Sequence, residues 1–388
     1  MRLLFDLHST QPQKNAKYHG AGKYGISLFK QLLQIAPESI SVYYDDAAFL
    51  DESVAELIVE KKIPTYFYNQ ISIYNAAREE GGVIYSPMLG AHNFPYPPED
   101  IKIITTQHDL RHFVLKRDKY FYLLDATPFP FFRYSIHNIV NKMFGKYKIE
   151  KTFNRIESFL NKRNVFVTTV SLHSKYTFGD KCPHFKMEKM KVFWAPSTND
   201  NSITLIDELN IFGKYWLLVG INRYEKNGLR AIQAFDELFS QHPNVEGIVV
   251  ATGFSSWSQI RVDVRNKHRF KLLGYVDEKT LKSLYHFAYS FMYPTLDEGF
   301  GYPPIEAMAE GCPVMASAVG SITEICGDSV LYFNPYSIDE MKNRILQMDD
   351  ETIHNTFCSK VRNHYEFVRK KQQEDLSSLC DYIMSFIK

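Results

Sequence analysis

The sequence predicts an α/β protein built as two similar halves, and three observations predict it. Short apolar runs alternate with longer amphipathic ones, the pattern of βα units around parallel sheets. A length of 388 residues suits two domains, each able to bury a sizeable core. Charge also divides the chain. Residues 1–195 hold 26 Lys+Arg against 19 Asp+Glu, and residues 196–388 hold 19 against 25. The crossover falls in the polar, turn-rich run Ala195-Pro-Ser-Thr-Asn-Asp-Asn-Ser202, which marks the domain boundary.

Each element has its own signal. In the first half the expected strands are 2–7, 41–45, 83–87, 102–107 and 164–171, with 191–196 a further candidate. An amphipathic helix over 22–35 places Ile26, Phe29, Leu32 and Leu33 on one side. In the second half strands are expected over 215–221, 247–253, 270–276, 289–294, 313–317 and 329–333. Helices are expected over 227–241, 278–287, 303–310 and 338–348, the last opened by a Ser337-x-x-Glu340 capping box. Two further helical patterns follow, over 352–368 and 371–387. Two such halves place ligands in the cleft between them, at the carboxyl ends of the strands.

Composition excludes several classes. With 45% hydrophobic and 23% charged residues the chain is not disordered, collagen-like or a coiled coil. A net charge of +1 does not suggest a nucleic-acid binder. Five scattered cysteines without a CxxC pair fit a reducing compartment rather than a disulfide framework or zinc ribbon. The N-terminus MRLLFDLHSTQ lacks the apolar length of a signal peptide, and no run approaches a membrane span of ~20 residues. A cytoplasmic protein is expected, either soluble or peripheral on the inner face of the membrane.

The richest stretch is Asp297-Glu-Gly-Phe-Gly-Tyr-Pro-Pro-Ile-Glu306-Ala-Met-Ala-Glu-Gly311-Cys-Pro. It reads as a strand end, a glycine turn and a helix. Pro303 and Pro304 suit the first helical turn and Gly311 the helix end. Gly299 and Gly301 allow close backbone approach to a ligand, and a helix N-terminus favours phosphate. Glu298 before the turn and Glu306 in the first helical turn would repel a phosphate. They make better sense as acceptors for sugar hydroxyls, one on a hexose and one on a ribose.

Glu298-x7-Glu306 in this setting resembles the signature of retaining glycosyltransferases of family 4, which have the GT-B fold. The resemblance implies two Rossmann-like domains facing across a cleft, with the last helix crossing back to the first domain. The domains expected are an acceptor-binding 1–195, a nucleotide-sugar-binding 196–370 and the returning helix 371–388. It also implies that Glu298 contacts the donor sugar, that Glu306 binds the ribose, and that the Gly299-Phe300-Gly301-Tyr302 turn meets the diphosphate and sugar.

Arg223 and Lys226, after the first strand of the second half, match the family's basic pair. They would offset charge on the departing diphosphate. Leu273-Gly-Tyr275-Val276 resembles the base-binding loop, and the His19-Gly20-Ala-Gly22 run resembles the N-terminal glycine loop near the phosphates. His108 in Thr106-Gln-His-Asp matches the family's His-Asp segment, where it would position the reacting sugar. Val170-Ser-Leu-His-Ser174 matches a strand-end segment that lines the cleft or supports it.

No Asp-x-Asp, HExxH or zinc-spaced cluster is present, so no metal and no cofactor are expected. The missing GxGxxG after the first strand speaks against a dinucleotide oxidoreductase. Residues 127–163 combine TPFPFFRY with eight Lys+Arg from Arg133 onward. That stretch suits an anionic membrane surface, and equally a solvated helix with its aromatics in the core. The function expected is hexose transfer from a nucleotide-diphosphate sugar to a hydroxyl of a glycan or lipid-linked glycan. GDP-mannose is the donor expected first, with UDP- and dTDP-sugars after it. The rivals are a nucleotide-sugar epimerase of GT-B fold and a catalytically inert partner subunit that binds nucleotide sugar or glycan.

Overall fold

The computed structural model describes residues 1–12, 20–88, 97–124, 134–135, 146–198, 204–206 and 212–387. The chain forms two compact units. The first comprises Met1–Leu110, Glu150–Thr198 and Arg369–Lys388; the second comprises Arg111–Ile149 and Asn199–Val368. The grouping gives the second unit a segment, 111–149, that lies before residue 195 in sequence.

The first unit holds a seven-stranded sheet: β1 (Leu3–Asp6), β2 (Ile40–Tyr44), β3 (Thr65–Phe67), β4 (Val83–Ser86), β5 (Lys102–Gln107), β6 (Val165–Thr169) and β7 (Met190–Val192). Its order is β3-β2-β1-β4-β5-β6-β7, and every pairing is parallel. β1 and β4 are buried along their whole length, which is why they read as unbroken apolar runs rather than alternating ones. The helix Gly20–Ile35 buries Tyr24, Leu28, Phe29, Leu32 and Leu33 on one stripe.

The second unit holds six parallel strands: β8 (Tyr215–Leu218), β9 (Ile248–Ala251), β10 (Phe270–Leu272), β11 (Ser290–Tyr293), β12 (Val314–Ser317) and β13 (Leu331–Phe333). The order β10-β9-β8-β11-β12-β13 repeats the reversal of the first sheet, here between β8 and β11. Alternate residues serve opposite layers. Trp216, Leu218, Val249, Met292 and Met315 pack in a core with Leu229, Phe235 and Leu238 of the helix Gly228–Gln241. Tyr215, Leu217, Val250, Phe291 and Val314 pack with Leu284 and Tyr285 of the helix Glu278–Phe287 and with Ala307 and Met308 of the helix Tyr302–Ala309.

One strand was not foreseen and three expectations need correction. β3 gives too little sequence signal: three half-buried residues at a sheet edge. β8 stops at Leu218 rather than 221, because Gly220 turns the chain with φ +67°. The two C-terminal patterns form one 34-residue helix, Glu351–Met384, since no glycine or proline falls between them. The capping box before Ile338–Asp349 is half made. Ser337 Oγ accepts the Glu340 N–H at 3.1 Å, but the Glu340 carboxylate accepts from Asn334 N at 2.8 Å instead of from Ser337.

Candidate active site

Two turns meet at the carboxyl edge of the second sheet, where the strand order reverses and α/β proteins place their ligands. The turn after β8 carries Arg223 and Lys226; the turn after β11 carries Thr295 through Gly301. Lys226 is buried, and so is Glu298. Lys226 Nζ donates to Glu298 Oε1 at 2.6 Å. Tyr293 OH, at the end of β11, donates to the same oxygen at 2.6 Å, and Thr295 Oγ1 does so at 3.1 Å. The second carboxylate oxygen, Oε2, faces Arg111 Nη1 at 3.6 Å.

The two turns are stitched together by backbone. Glu225 O accepts from Leu296 N at 2.8 Å and from Thr295 Oγ1 at 3.0 Å. Ser321 Oγ donates to Glu298 O at 3.0 Å and to Phe300 O at 2.8 Å, fixing the glycine turn from behind. Gly320, at φ +59°, lies flat on this turn. A Cβ there would sit 2.8 Å from Glu298 O and 2.9 Å from Glu298 N.

Electrostatics follow from this geometry. Burial works against an ionised Glu298, but the charges of Lys226 and Arg111 outweigh it and hold the carboxyl at about 2. Burial raises the Tyr293 phenol well above its ordinary value, and the Glu298 charge raises it further, so Tyr293 stays a donor. Arg223 acts on both Lys226 and Tyr293 electrostatically. Its side chain is 55% exposed and lies 3.7 Å from Glu225 Oε1. The arrangement is thus a buried carboxylate with a buried ammonium, bordered by two guanidinium groups.

The helix Tyr302–Ala309 begins one residue earlier than expected, so Glu306 falls in its second turn rather than its first. Glu306 accepts from Tyr285 OH at 3.4 Å. The N-cap is Gly301 at φ +99°, with no side-chain cap. Of the two turn glycines only Gly301 needs a left-handed backbone. Pro303 and Pro304 remove two N-terminal donors, leaving the amides of Gly301 and Tyr302 at this end. Phe300 is buried, and Tyr302 is half-buried against it in an edge-on pair. Tyr275 is 80% exposed after Gly274, whereas Val276 packs on the sheet's core.

The first unit holds the remaining expected residues. His108 follows β5, and its Nε2 donates to Pro87 O at 2.8 Å. Its ring meets the Tyr24 ring edge-on at 4.7 Å, and Ser174 Oγ donates to His108 O at 2.7 Å. Gly20 and Gly22 sit in the first turn of the helix Gly20–Ile35, not in a loop before it. Their backbone already follows the helix, and His19 lies outside the described residues. Of the basic aromatic stretch, 127–133 and 136–145 lie outside them too.

Sequence reasoning missed Arg111, Tyr293, Thr295 and Ser321. Arg111 follows His108 by three residues but pairs with a carboxylate far along the chain, so only the fold reveals it. Tyr293 and Thr295 flank the strand end just before the glutamate. Among the described residues no group of three or more His, Cys, Asp or Glu is disposed to hold a metal ion. No helix among them is long and apolar enough to cross a membrane.

Residues 204–364 match the family described as glycosyl transferases group 1. These residues are similar to a group 1 glycosyltransferase domain. The buried Lys226–Glu298 pair, Arg223 and Glu306 all lie within the matched residues, while Arg111 comes from outside them. The O-antigen chain mannosyltransferase RfbU of Salmonella typhimurium is 28% identical over 234 residues, covering 60% of this chain and 60% of that protein. The O-antigen chain mannosyltransferase B of Escherichia coli is 33% identical over 138 residues, covering 34% of this chain and 36% of its own. The chain therefore spans less than two thirds of either relative. The crystal structure of HepE from Anabaena in complex with UDP-glucose is similar over 100% of this chain and 99% of its own, with a TM-score of 0.66 at 16% identity. That likeness concerns the fold, which is α/β of GT-B class with two Rossmann-like units, the matched residues 204–364 being part of the second.

Proposed function

We propose that the chain transfers a hexose from a nucleotide-diphosphate sugar to a hydroxyl of a glycan or lipid-linked glycan in cell-surface polysaccharide synthesis. The carrying observation is the buried Lys226–Glu298 pair at the strand-order reversal, with Arg223 and Arg111 beside it. Arg223, Lys226 and the amides at the start of Tyr302–Ala309 bind the diphosphate and stabilise its charge as the glycosidic bond breaks. Glu298 accepts from the hexose, and Glu306 from the ribose. His108, in the first unit, positions the reacting sugar.

Transfer is read as retaining: the diphosphate leaves from the face the acceptor enters, and its own oxygen takes the acceptor proton. No metal or cofactor is assigned a part in the reaction. GDP-mannose is the donor of choice, supported by the two O-antigen mannosyltransferases that resemble this chain. HepE was solved with UDP-glucose, so a uridine donor is the reading to test against it. The protein works on the cytoplasmic side, where nucleotide sugars are held, and residues 127–163 are the part proposed to meet an anionic membrane.

The test is a thermal-shift panel of GDP, UDP, dTDP and ADP, each with and without EDTA. A ligand at a hundred times its Kd stabilises by about 2.7 kcal/mol. One nucleotide standing out, unaffected by EDTA, supports a metal-free donor site and identifies its base. Donor turnover in the presence of acceptor then separates a transferase from an inert binder. Turnover without acceptor to an epimeric sugar would support an epimerase.

A further inference from the structure

The two oxygens of Glu298 have different surroundings. Oε1 accepts from Lys226 and Tyr293, which fills its two lone-pair sites, and Thr295 Oγ1 lies 3.1 Å from it. Oε2 has Arg111 Nη1 at 3.6 Å, close enough for charge attraction but beyond hydrogen-bond reach. The Arg111 side chain is 24% exposed and that of Glu298 8%, so the arginine side of this contact reaches solvent.

Arg111 does not hang loosely there. The segment behind it is fastened to the second unit at four points. Asp118 forms an ion pair with Arg230, itself buried against Tyr120 with the guanidinium 4.0 Å from the ring centroid. Tyr224 OH donates to Lys116 O at 2.7 Å and accepts from Asp118 N at 3.0 Å. Tyr120 OH donates to Gln233 Oε1 at 2.7 Å. Tyr120 and Leu123 are buried in the core around Trp216 and Phe235.

A carboxylate oxygen can only accept and a guanidinium can only donate. A hydroxyl does both. An oxygen about 2.7 Å from Oε2 and about 2.9 Å from Nη1 closes a triangle on the 3.6 Å base. A phosphate oxygen would gain the guanidinium but face the carboxylate, so the gap selects a neutral hydroxyl.

We propose that Arg111 and Glu298 Oε2 together read one hydroxyl of the donor hexose, Arg111 donating to its oxygen and Oε2 accepting its proton. This rests on the donor-sugar reading of Glu298 above. It makes Arg111 a specificity residue that lies outside the matched residues 204–364.

Calorimetry on the full chain compares GDP-mannose with its monodeoxy analogues, or UDP-glucose with its own where thermal shift selects uridine. In the wild type one analogue binds roughly 10- to 100-fold more weakly than the parent, as for loss of a hydroxyl held by charged groups. In Arg111→Met that one penalty shrinks about tenfold, while the penalties of the other analogues stay as they were. Arg111→Lys is read beside it, and in its place should the Met variant not melt cooperatively. A uniform loss across parent and analogues, or discrimination unchanged in both variants, overturns the inference and leaves the donor site standing. A wild-type chain that binds no nucleotide sugar overturns the inference and the donor reading together.

Discussion

Lys226 and Glu298 neutralise each other at 2.6 Å in a place neither could occupy alone. Both side chains are more than nine-tenths buried. Removing one partner strands the other charge, which typically costs 3–5 kcal/mol. Lys226→Met is therefore expected to lose about that much stability in urea melts. The double variant Lys226→Met with Glu298→Gln should recover most of it, because no buried charge remains. A double variant as unstable as the sum of the singles would show that the pair is not coupled.

The same pair sets a pH dependence. The folded Glu298 carboxyl titrates at about 2 against an ordinary 4.5. A folded value below the unfolded one means stability that is complete above the unfolded pKa and lost as pH falls toward 2. Denaturation midpoints of the wild type should fall between about pH 5 and pH 2. Glu298→Gln should show a shallower fall over that window. Parallel curves would mean that other carboxylates carry the acid sensitivity.

Gly320 is a sharper probe of position than of charge. Gly320→Ala would press a methyl group against two backbone atoms of Glu298, which cannot rotate away, at a φ that L-residues avoid. A loss of about 1–3 kcal/mol is expected. Nucleotide-sugar affinity should fall further than nucleotide affinity, because the displaced residue is the one proposed to accept from the sugar. Equal losses for both ligands would place the damage elsewhere.

Glu306→Ala should weaken nucleotide binding, with or without the sugar attached. A charged acceptor to ribose hydroxyls is worth roughly 1.5–3 kcal/mol. Calorimetry with the free nucleoside diphosphate reads this directly, and unchanged affinity would remove the ribose assignment.

On the proposed mechanism, in which the diphosphate gains charge as the bond breaks, Arg223→Ala should reduce kcat more than it reduces donor affinity. Its side chain is more than half exposed, so the fold should tolerate the change. A drop confined to KM would make Arg223 a ground-state binder only.

Much of this was legible in the residues, for physical reasons that differ by element. β8, β9, β11 and β12 are covered on both faces and so write continuous apolar runs. The EGFGYPP segment shows itself because glycine, proline and carboxylate each have narrow reasons to stand at a helix start. β3 was invisible because three half-buried residues at an edge carry almost no periodicity. The burial of Glu298 could not be foreseen either. A glutamate before a glycine turn looks solvated until the lysine, tyrosine and threonine that take its Oε1 are seen to converge. Arg111 lies furthest from prediction, since its meaning depends on where 111–124 is fastened.

That fastening has a consequence on the ribosome. Tyr120 and Leu123 emerge early, but the core that receives them is built from Trp216, Phe235, Met292 and Met341. Roughly a hundred residues must still be translated after Tyr120 before Trp216 appears, which at about 5–20 residues per second takes on the order of ten seconds. During that interval a nascent chain carries an aromatic segment with no seat. A fragment cut at residue 195 would carry it permanently, and the matching fragment from 196 onward would keep a hole lined by Phe235 and Leu238. Chaperone demand during synthesis, and poor solubility of either half made alone, are what this interleaving of sequence and structure entails.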